Sequence, residues 1–282
     1  PTGTALRANK GAAIALKSRV KLHMEDWAGV IAEHAKITGS YAITPNPVTP
    51  FRTATSSDNI FSFVNTEASN AGVNGALASM YGNPNNGARG LVKISPIIWR
   101  ASFWLQEDTR RGMTTQSTAG VYTNKYIDPV TYTDPNVILR FAEVVLNAAE
   151  ANAQLGNLDL AVTQLNSVRG RALPSSVPGF TAAGLGGKTG VLNAIYNERR
   201  IEFLAEGRRW ADIHRLAGAG VIPGVPLKAT SRSITSISFY TGTGNIPTDH
   251  AIPYSSHLFI WPIPLEEIQS NTSAPIAQNP GY

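Results

Sequence analysis

The chain contains no cysteine. That excludes a disulfide framework and every thiolate metal site, and it leaves the redox compartment open. Charge is scarce as well: Asp, Glu, Lys and Arg make up 15% of the residues, well below the usual quarter of a soluble domain. Polarity comes instead from Asn, Ser, Thr and Gly, a mixture that suits an extracytoplasmic surface. No apolar run approaches the roughly 18 to 20 residues that a membrane-spanning helix requires. The opening PTGTALRANKGAA lacks the basic start and apolar run of a signal peptide. The net charge of +5 is not concentrated anywhere, because the 24 lysines and arginines are scattered and many sit beside acids. No basic face for nucleic acid emerges.

Chemistry-bearing motifs are missing too. The histidines His23, His34, His214, His250 and His257 form neither HExxH nor an i, i+4 pair, so neither a metal site nor a cofactor is expected. GGKT at Gly186–Thr189 has Ala182 where a phosphate loop needs its first glycine, and reads as a loop before a helix. There is no G-x-S-x-G elbow.

What is present is helical periodicity broken by a long irregular stretch. At 282 residues the chain is long enough for one large domain. Residues 9–39 read as a helical hairpin, with Asn9 as a cap and Ala13, Leu16, Val20 and Met24 on one apolar stripe. Glu25-Asp26 makes the turn, and Trp27, Val30, Ile31 and Ile37 pack the second helix. A second hairpin follows, with Leu139, Ala142, Leu146, Ala149 and Ala153 on one helix, Gly156 ending it, and Leu158–Val168 forming the other. The two hairpins align at a constant offset of 131 residues, with Trp27 over Leu158 and Ile37 over Val168. Small residues in the first helix and the style of the turn resemble tetratricopeptide units.

Between the hairpins, residues 40–135 change character. Prolines and glycines punctuate TPNPVTPF, SSDNIFSFV, MYGNPNNGARG and LVKISPIIW. NIFSFV and GLVKIS read as short strands, and Ser233–Tyr240 as another within an irregular segment over 218–282. Residues 136–217 hold the second hairpin and a central amphipathic helix over Leu192–Asp212. In that helix Glu198, Glu202 and Glu206 recur every four residues among Arg199, Arg200, Arg208 and Arg209. Carboxylates so spaced repel unless cations intervene, so an Arg–Glu lattice locking the helix to its neighbours is expected.

The same stretch carries a family resemblance. NERRIEFLAEGRRWADIHRL resembles the ERR-x-E…EG-x-RW-x-D signature of the SusD/RagB family of outer-membrane nutrient-binding lipoproteins. LRFAEVVLNAAEANAQLG (Leu139–Gly156) resembles that family's LR-x-AEVYLNYAEA helix, and WPIPLEEIQSNTSAPIAQNPGY (Trp261–Tyr282) resembles its closing PIP-x-x-EI…QNPGY. The resemblance implies a mainly α fold, with tetratricopeptide-like hairpins, a long irregular insertion and few short strands, in a single SusD-like domain over 1–282. It also implies non-catalytic capture of an extracellular glycan, or of a peptide, for a SusC-like TonB-dependent transporter. The protein would sit on the extracellular face of the outer membrane. Its signal peptide, its lipid anchor and the hairpin that opens the family's fold would lie upstream of this chain.

The resemblance places ligand contacts in irregular segments but carries over no individual residue. The insertion holds Phe51, Phe61, Phe63, Tyr81, Trp99, Phe103, Trp104, Tyr122, Tyr126 and Tyr132, of which half or more are expected in its own small core. A sugar site needs apolar ring faces beside amides and guanidinium groups. Tyr81, Trp99 and Trp104 are the rings expected to be exposed, with Asn83 and Arg89 as polar partners. Trp27, Trp210 and Trp261 are expected in packing roles. Two other classes stay open: a helical-repeat scaffold that binds only proteins, and a hydrolase. The latter would need two carboxylates about 5–10 Å apart among Asp58, Glu67, Glu107, Asp108, Asp128 and Asp134.

Overall fold

A computed structural model describes residues 5–282. In chain order, α1 (Lys10–His23) and α2 (Trp27–Ile37) form the first hairpin. The insertion follows with β1 (Asn59–Phe63), α3 (Leu77–Tyr81), α4 (Pro96–Trp99), β2 (Thr114–Ser117), β3 (Gly120–Thr123) and β4 (Asn136–Arg140). Next come α5 (Phe141–Gln154), α6 (Leu158–Arg169), α7 (Lys188–Glu202) and α8 (Arg209–Gly218). The C-terminal segment holds β5 (Gly224–Val225), β6 (Lys228–Ala229), α9 (Ser238–Thr241), β7 (Thr248–Asp249), β8 (Ile252–Pro253) and α10 (Leu265–Ser270). The protein is mainly helical, and among the described residues its strands form two-stranded antiparallel ladders.

The offset of 131 residues holds in space. Shifting α1 by that amount gives the bounds of α5, and Trp27 and Leu158 open the following helices. The connecting turns match bond for bond. Asp26 N donates to Lys21 O at 3.0 Å, and Asn157 N to Asn152 O at 2.8 Å. Glu25 adopts φ 57° where Gly156 adopts φ 88°. Asn9 Oδ1 accepts from Ala12 N at 2.9 Å and Asp26 Oδ1 from Gly29 N at 2.8 Å, so side chains cap both helices of the first hairpin.

Helix α5 is the axis of the helical layer. It packs against α1, α2, α6 and α7, and Phe141–Ala153 is buried throughout. Its apolar residues join Ala12, Ile14, Ile37, Leu165, Val168, Ile195 and Phe203 in the main core. Polar residues on a helix buried this fully require partners, and each has one. Glu143 takes both Nε and Nη2 of Arg19, at 2.6 and 2.7 Å, Asn147 Oδ1 takes Arg199 Nη1 at 2.7 Å, and Glu150 takes Arg215.

Three expectations about helices are corrected. On α1 the stripe Leu16, Val20 and Met24 faces outward. The inward face is Gly11, Ala12, Ile14, Ala15, Ser18 and Leu22. Leu139 lies on β4, because the chain stays extended until Arg140. The stretch Leu192–Asp212 is not one helix. It breaks at Phe203–Arg208, where Ala205 and Gly207 take φ 63° and 75°. Of the expected strands, NIFSFV contains β1. GLVKIS forms no strand, although Ile94 N donates to Val121 O at 2.8 Å. Ser233–Tyr240 is a turn leading into α9.

β1 pairs with β4, so the start and end of the insertion are stitched together at the root of α5. Asp58 reinforces the seam. Its carbonyl accepts from Phe141 N at 2.7 Å and its Oδ1 from Ala142 N at 2.9 Å, capping a helix that has no side-chain cap of its own.

Candidate functional site

Glu198, Glu202 and Glu206 do form a lattice, but not with the arginines interleaved among them. Their partners are Arg110 and Lys125 from the insertion, Arg140 from β4 and Arg171 just beyond α6. Glu202 is the hub: Arg171 Nη2 lies 2.6 Å and Arg140 Nη1 2.8 Å from Oε1, and Arg110 Nη1 2.9 Å from Oε2. Asp58 and Asp108 complete a buried network of five carboxylates and four cations: Asp58, Asp108, Glu198, Glu202 and Glu206 against Arg110, Lys125, Arg140 and Arg171. Burial alone would raise the Glu202 carboxyl. The charges of Arg171, Arg140, Arg110 and Lys125 outweigh it and hold the group well below the usual carboxylate range. At Glu198 burial wins over Arg110 and pushes the carboxyl up. This network fastens the insertion to the helical layer, and thereby fixes the position of everything the insertion displays.

Of the rings expected to be exposed, Trp99 and Trp104 are buried, at 9% and 2% exposure. They meet edge to face at 5.4 Å in a second core with Ile94, Ile98, Val121, Ile201, Ile234 and Tyr240. The Arg111 guanidinium lies 4.4 Å from one ring and 4.8 Å from the other. It also donates to the carbonyls of Trp99, Trp104 and Leu105. Neither tryptophan offers a face to a ligand. Trp261, by contrast, is 83% exposed, and Trp210 is half-exposed, stacked on Phe259 at 5.6 Å. His214 and Tyr254 extend this aromatic group at the surface of the C-terminal segment.

Tyr81, Asn83 and Arg89 share one loop. Tyr81 is half-buried at the end of α3. Asn83 is buried and structural: its Oδ1 accepts from Asn85 N at 3.0 Å, and its Nδ2 donates to Gln116 O at 3.0 Å. Arg89 is exposed and bonded to Asn74 Oδ1, and its backbone N donates to Ser79 O at 2.7 Å. The structure therefore gathers these three around the Asn85-Asn86 turn and leaves the tryptophan pair in a separate core.

A hollow lies elsewhere, at the seam between the insertion and the C-terminal segment. It is an open groove of about 530 Å³, within the range of small-ligand sites. Ile97 and Arg100 of the α4 region form one wall, Pro226 and Leu227 another, and Thr243–Ile246 with Thr248 the third. Arg100 Nη1 donates to Gly244 O at 2.8 Å and so ties the two segments together across the groove. The lining offers hydroxyls, one amide and a guanidinium beside apolar walls, and contains no carboxylate. Such a surface can hold a hydroxylated or peptidic chain, but it supplies no acid–base pair. Arg100 is visible in sequence as a neighbour of the predicted rings. The residues from 226 to 248 were missed, since nothing in an irregular segment signals which part of it faces the insertion.

Most acids of the insertion are committed elsewhere. Asp58 and Asp108 belong to the ion network, and Asp108 also caps the turn at Thr109–Met113, as the adjacent Arg110-Arg111 suggests. Asp128 accepts from Val130 N, Thr131 N and Thr133 N at 2.8–3.1 Å and from the hydroxyls of Thr131 and Thr133. Asp134 accepts from Ile127 N and Asp128 N, both at 2.7 Å.

Comparison with known proteins adds an independent line. The model of the SusD family matches residues 100–282. The SusD-like protein P38 of Formosa agariphila is 34% identical over 127 residues, 43% of this chain and 25% of that protein. Among solved structures, a SusD superfamily protein from Bacteroides fragilis superposes with a TM-score of 0.71 at 24% identity, over 93% of this chain and 55% of that one. Surface glycan-binding protein A from Bacteroides uniformis gives 0.69 at 18% identity, over 99% of this chain and 62% of its own. This chain thus matches a quarter of the curated relative and little more than half of each of these structures, whose likeness establishes the fold.

Proposed function

Because the chain belongs to the SusD family, we propose that it captures an extracellular glycan, an oligosaccharide or polysaccharide, without transforming it. On this reading it passes the glycan to a SusC-like TonB-dependent transporter. It would work at the extracellular face of the outer membrane, held there by a lipid anchor. No helix among the described residues is long and apolar enough to cross a membrane. The observation that carries the binding role is the groove between α4 and residues 226–248: hydroxyl, amide and guanidinium donors stand over apolar walls, with no carboxylate in the lining. A relative of the same fold is described as a surface glycan-binding protein. The rigid helical layer and ion network supply the frame, and irregular segments supply the variable contacts.

One feature favours a second reading. None of the residues lining the groove is aromatic, so a pyranose would find no ring to stack on there, whereas Ile97, Leu227 and Ile246 would suit peptide side chains. Calorimetric titration with a panel of neutral and acidic oligosaccharides and of mixed peptides separates the two. Saccharide binding that weakens about tenfold in Asn245→Ala supports glycan capture. Peptide binding with silence toward every sugar moves the protein to peptide uptake. Silence toward both leaves a scaffold whose partners are proteins.

A further inference from the structure

A second, smaller cleft lies between the end of α6, α7, the loop that joins them and Phe103 of the insertion. Its volume is about 240 Å³, below the range of about 300–1,000 Å³ typical of sites for drug-sized ligands and suited to a single ring. Two phenyl rings, Phe103 and Phe180, stand in its lining. Each has a fixed neighbour. Asn166 clamps the Phe180 backbone through Nδ2 to Phe180 O at 2.9 Å and Phe180 N to Oδ1 at 3.0 Å. The Arg200 guanidinium lies 4.9 Å from the Phe103 ring.

The polar lining has unspent capacity. Arg169 is only 8% exposed, sits 4.0 Å over the Phe180 ring, and makes one long hydrogen bond, Nη1 to Pro178 O at 3.4 Å. Its remaining N–H donors have no partner among the described residues. These donors still reach solvent, so they are open to a ligand in the cleft. Glu198, 4% exposed, gives one oxygen to Arg110, and its other oxygen accepts no hydrogen bond. Asn193 and Asn197 rise one turn apart on α7. Asn197 Oδ1 takes Arg200 Nη1 at 3.3 Å, which leaves its NH₂ free, and Asn193 makes no hydrogen bond through its side chain.

We propose that this cleft is a second ligand site, which takes one neutral hydroxylated ring such as a hexose. Each hydroxyl of such a ring both donates and accepts. The cleft matches that with donors at Arg169, an acceptor at Glu198 and amides at Asn193 and Asn197, beside the apolar Phe103, Phe180, Leu185 and Ile201. The charges of Arg169 and Glu198 offset each other, so an anion meets the carboxylate and a cation meets the guanidinium. A neutral polyol meets neither penalty. The site is separate from the groove at Arg100 and stands whether or not the groove holds a glycan.

The test is ¹H–¹⁵N NMR of the side-chain amides of Asn193 and Asn197, titrated with glucose, galactose, mannose and N-acetylglucosamine. Acetate and guanidinium serve as charged controls, and a tetrasaccharide of the preferred sugar distinguishes a free monosaccharide from a chain end. We expect saturable shifts with at least one neutral sugar and none with either ion. Binding should weaken about tenfold in Arg169→Gln. It should vanish in Asn193→Trp, which fills the cleft from an exposed helix position, and it should persist in the groove variant Asn245→Ala. Absence of shifts with every sugar, binding that survives Asn193→Trp, or a response to acetate would overturn the proposal.

Discussion

At the scale of single residues, burial decides roles that residue type leaves open. Trp104 is an aromatic in an irregular segment near asparagines and arginines, which suggests a binding ring, yet it is closed into a core and faced by Arg111. Truncation to alanine should therefore cost about 3–5 kcal/mol of stability in a chemical melt, and any loss of binding should follow that loss of folding. A clue was present in sequence: Ile97, Ile98, Phe103 and Leu105 flank the tryptophans, and apolar density of that kind marks a core more often than a ligand face. The glutamates diverge in the same way. Glu202→Gln puts an amide against Arg110, Arg140 and Arg171 and should cost about 3–5 kcal/mol, whereas Glu198→Gln should cost less, because burial opposes the charged form of Glu198.

The pH dependence follows from the same groups. Glu202, Asp212 and Glu143 are all held low, against the effect of burial, by neighbouring arginines. Their contribution is present above the ordinary carboxylate range near pH 4 and is lost as pH falls through the folded values. Glu198 runs the other way: its contribution is present below its unfolded pKa and is lost as pH rises through the raised folded value. Urea melts should show wild-type stability falling steeply below about pH 4. Over the range above that, Glu198→Gln should gain on the wild type as pH rises. A constant difference across the range would contradict this assignment.

At the scale of elements, the repeat was legible because the turn and the second helix of each hairpin agree at one offset, Trp27 with Leu158 and Ile37 with Val168. The turn also exposes an asymmetry. The second hairpin has Gly156 at φ 88° and the first has Glu25 at φ 57°, a conformation that costs a side-chain-bearing residue about 1 kcal/mol or more. Glu25→Gly should stabilise by about 0.5–1 kcal/mol, and Gly156→Ala should destabilise by about 1 kcal/mol, with no atom near the added methyl to blame for a clash. The mutations can be compared by thermal denaturation. Other elements were not legible. The break at Phe203–Arg208 follows from backbone angles at Ala205 and Gly207 that the charge periodicity conceals, and α1 carries apolar residues on two faces, so the stripe alone could not say which face points inward.

At the scale of the molecule, ordered motifs at 139–156, 192–212 and 261–282 were sufficient to indicate family and helical architecture. The position of the groove was not indicated, because it forms where residues near 100 meet residues 226–248, and no local pattern encodes that meeting. What the whole arrangement offers is a rigid helical layer, an insertion bolted to it by buried charge, and a polar–apolar groove at the seam. The most direct measurement is a calorimetric titration of wild-type protein and Leu227→Arg with the best oligosaccharide of the panel, followed by chromatography of the recovered ligand. Capture at the groove predicts saturable binding, weakened at least about tenfold by the variant, and a saccharide recovered at its original length. Equal binding by both proteins, or a shortened saccharide, would contradict non-catalytic capture at this site.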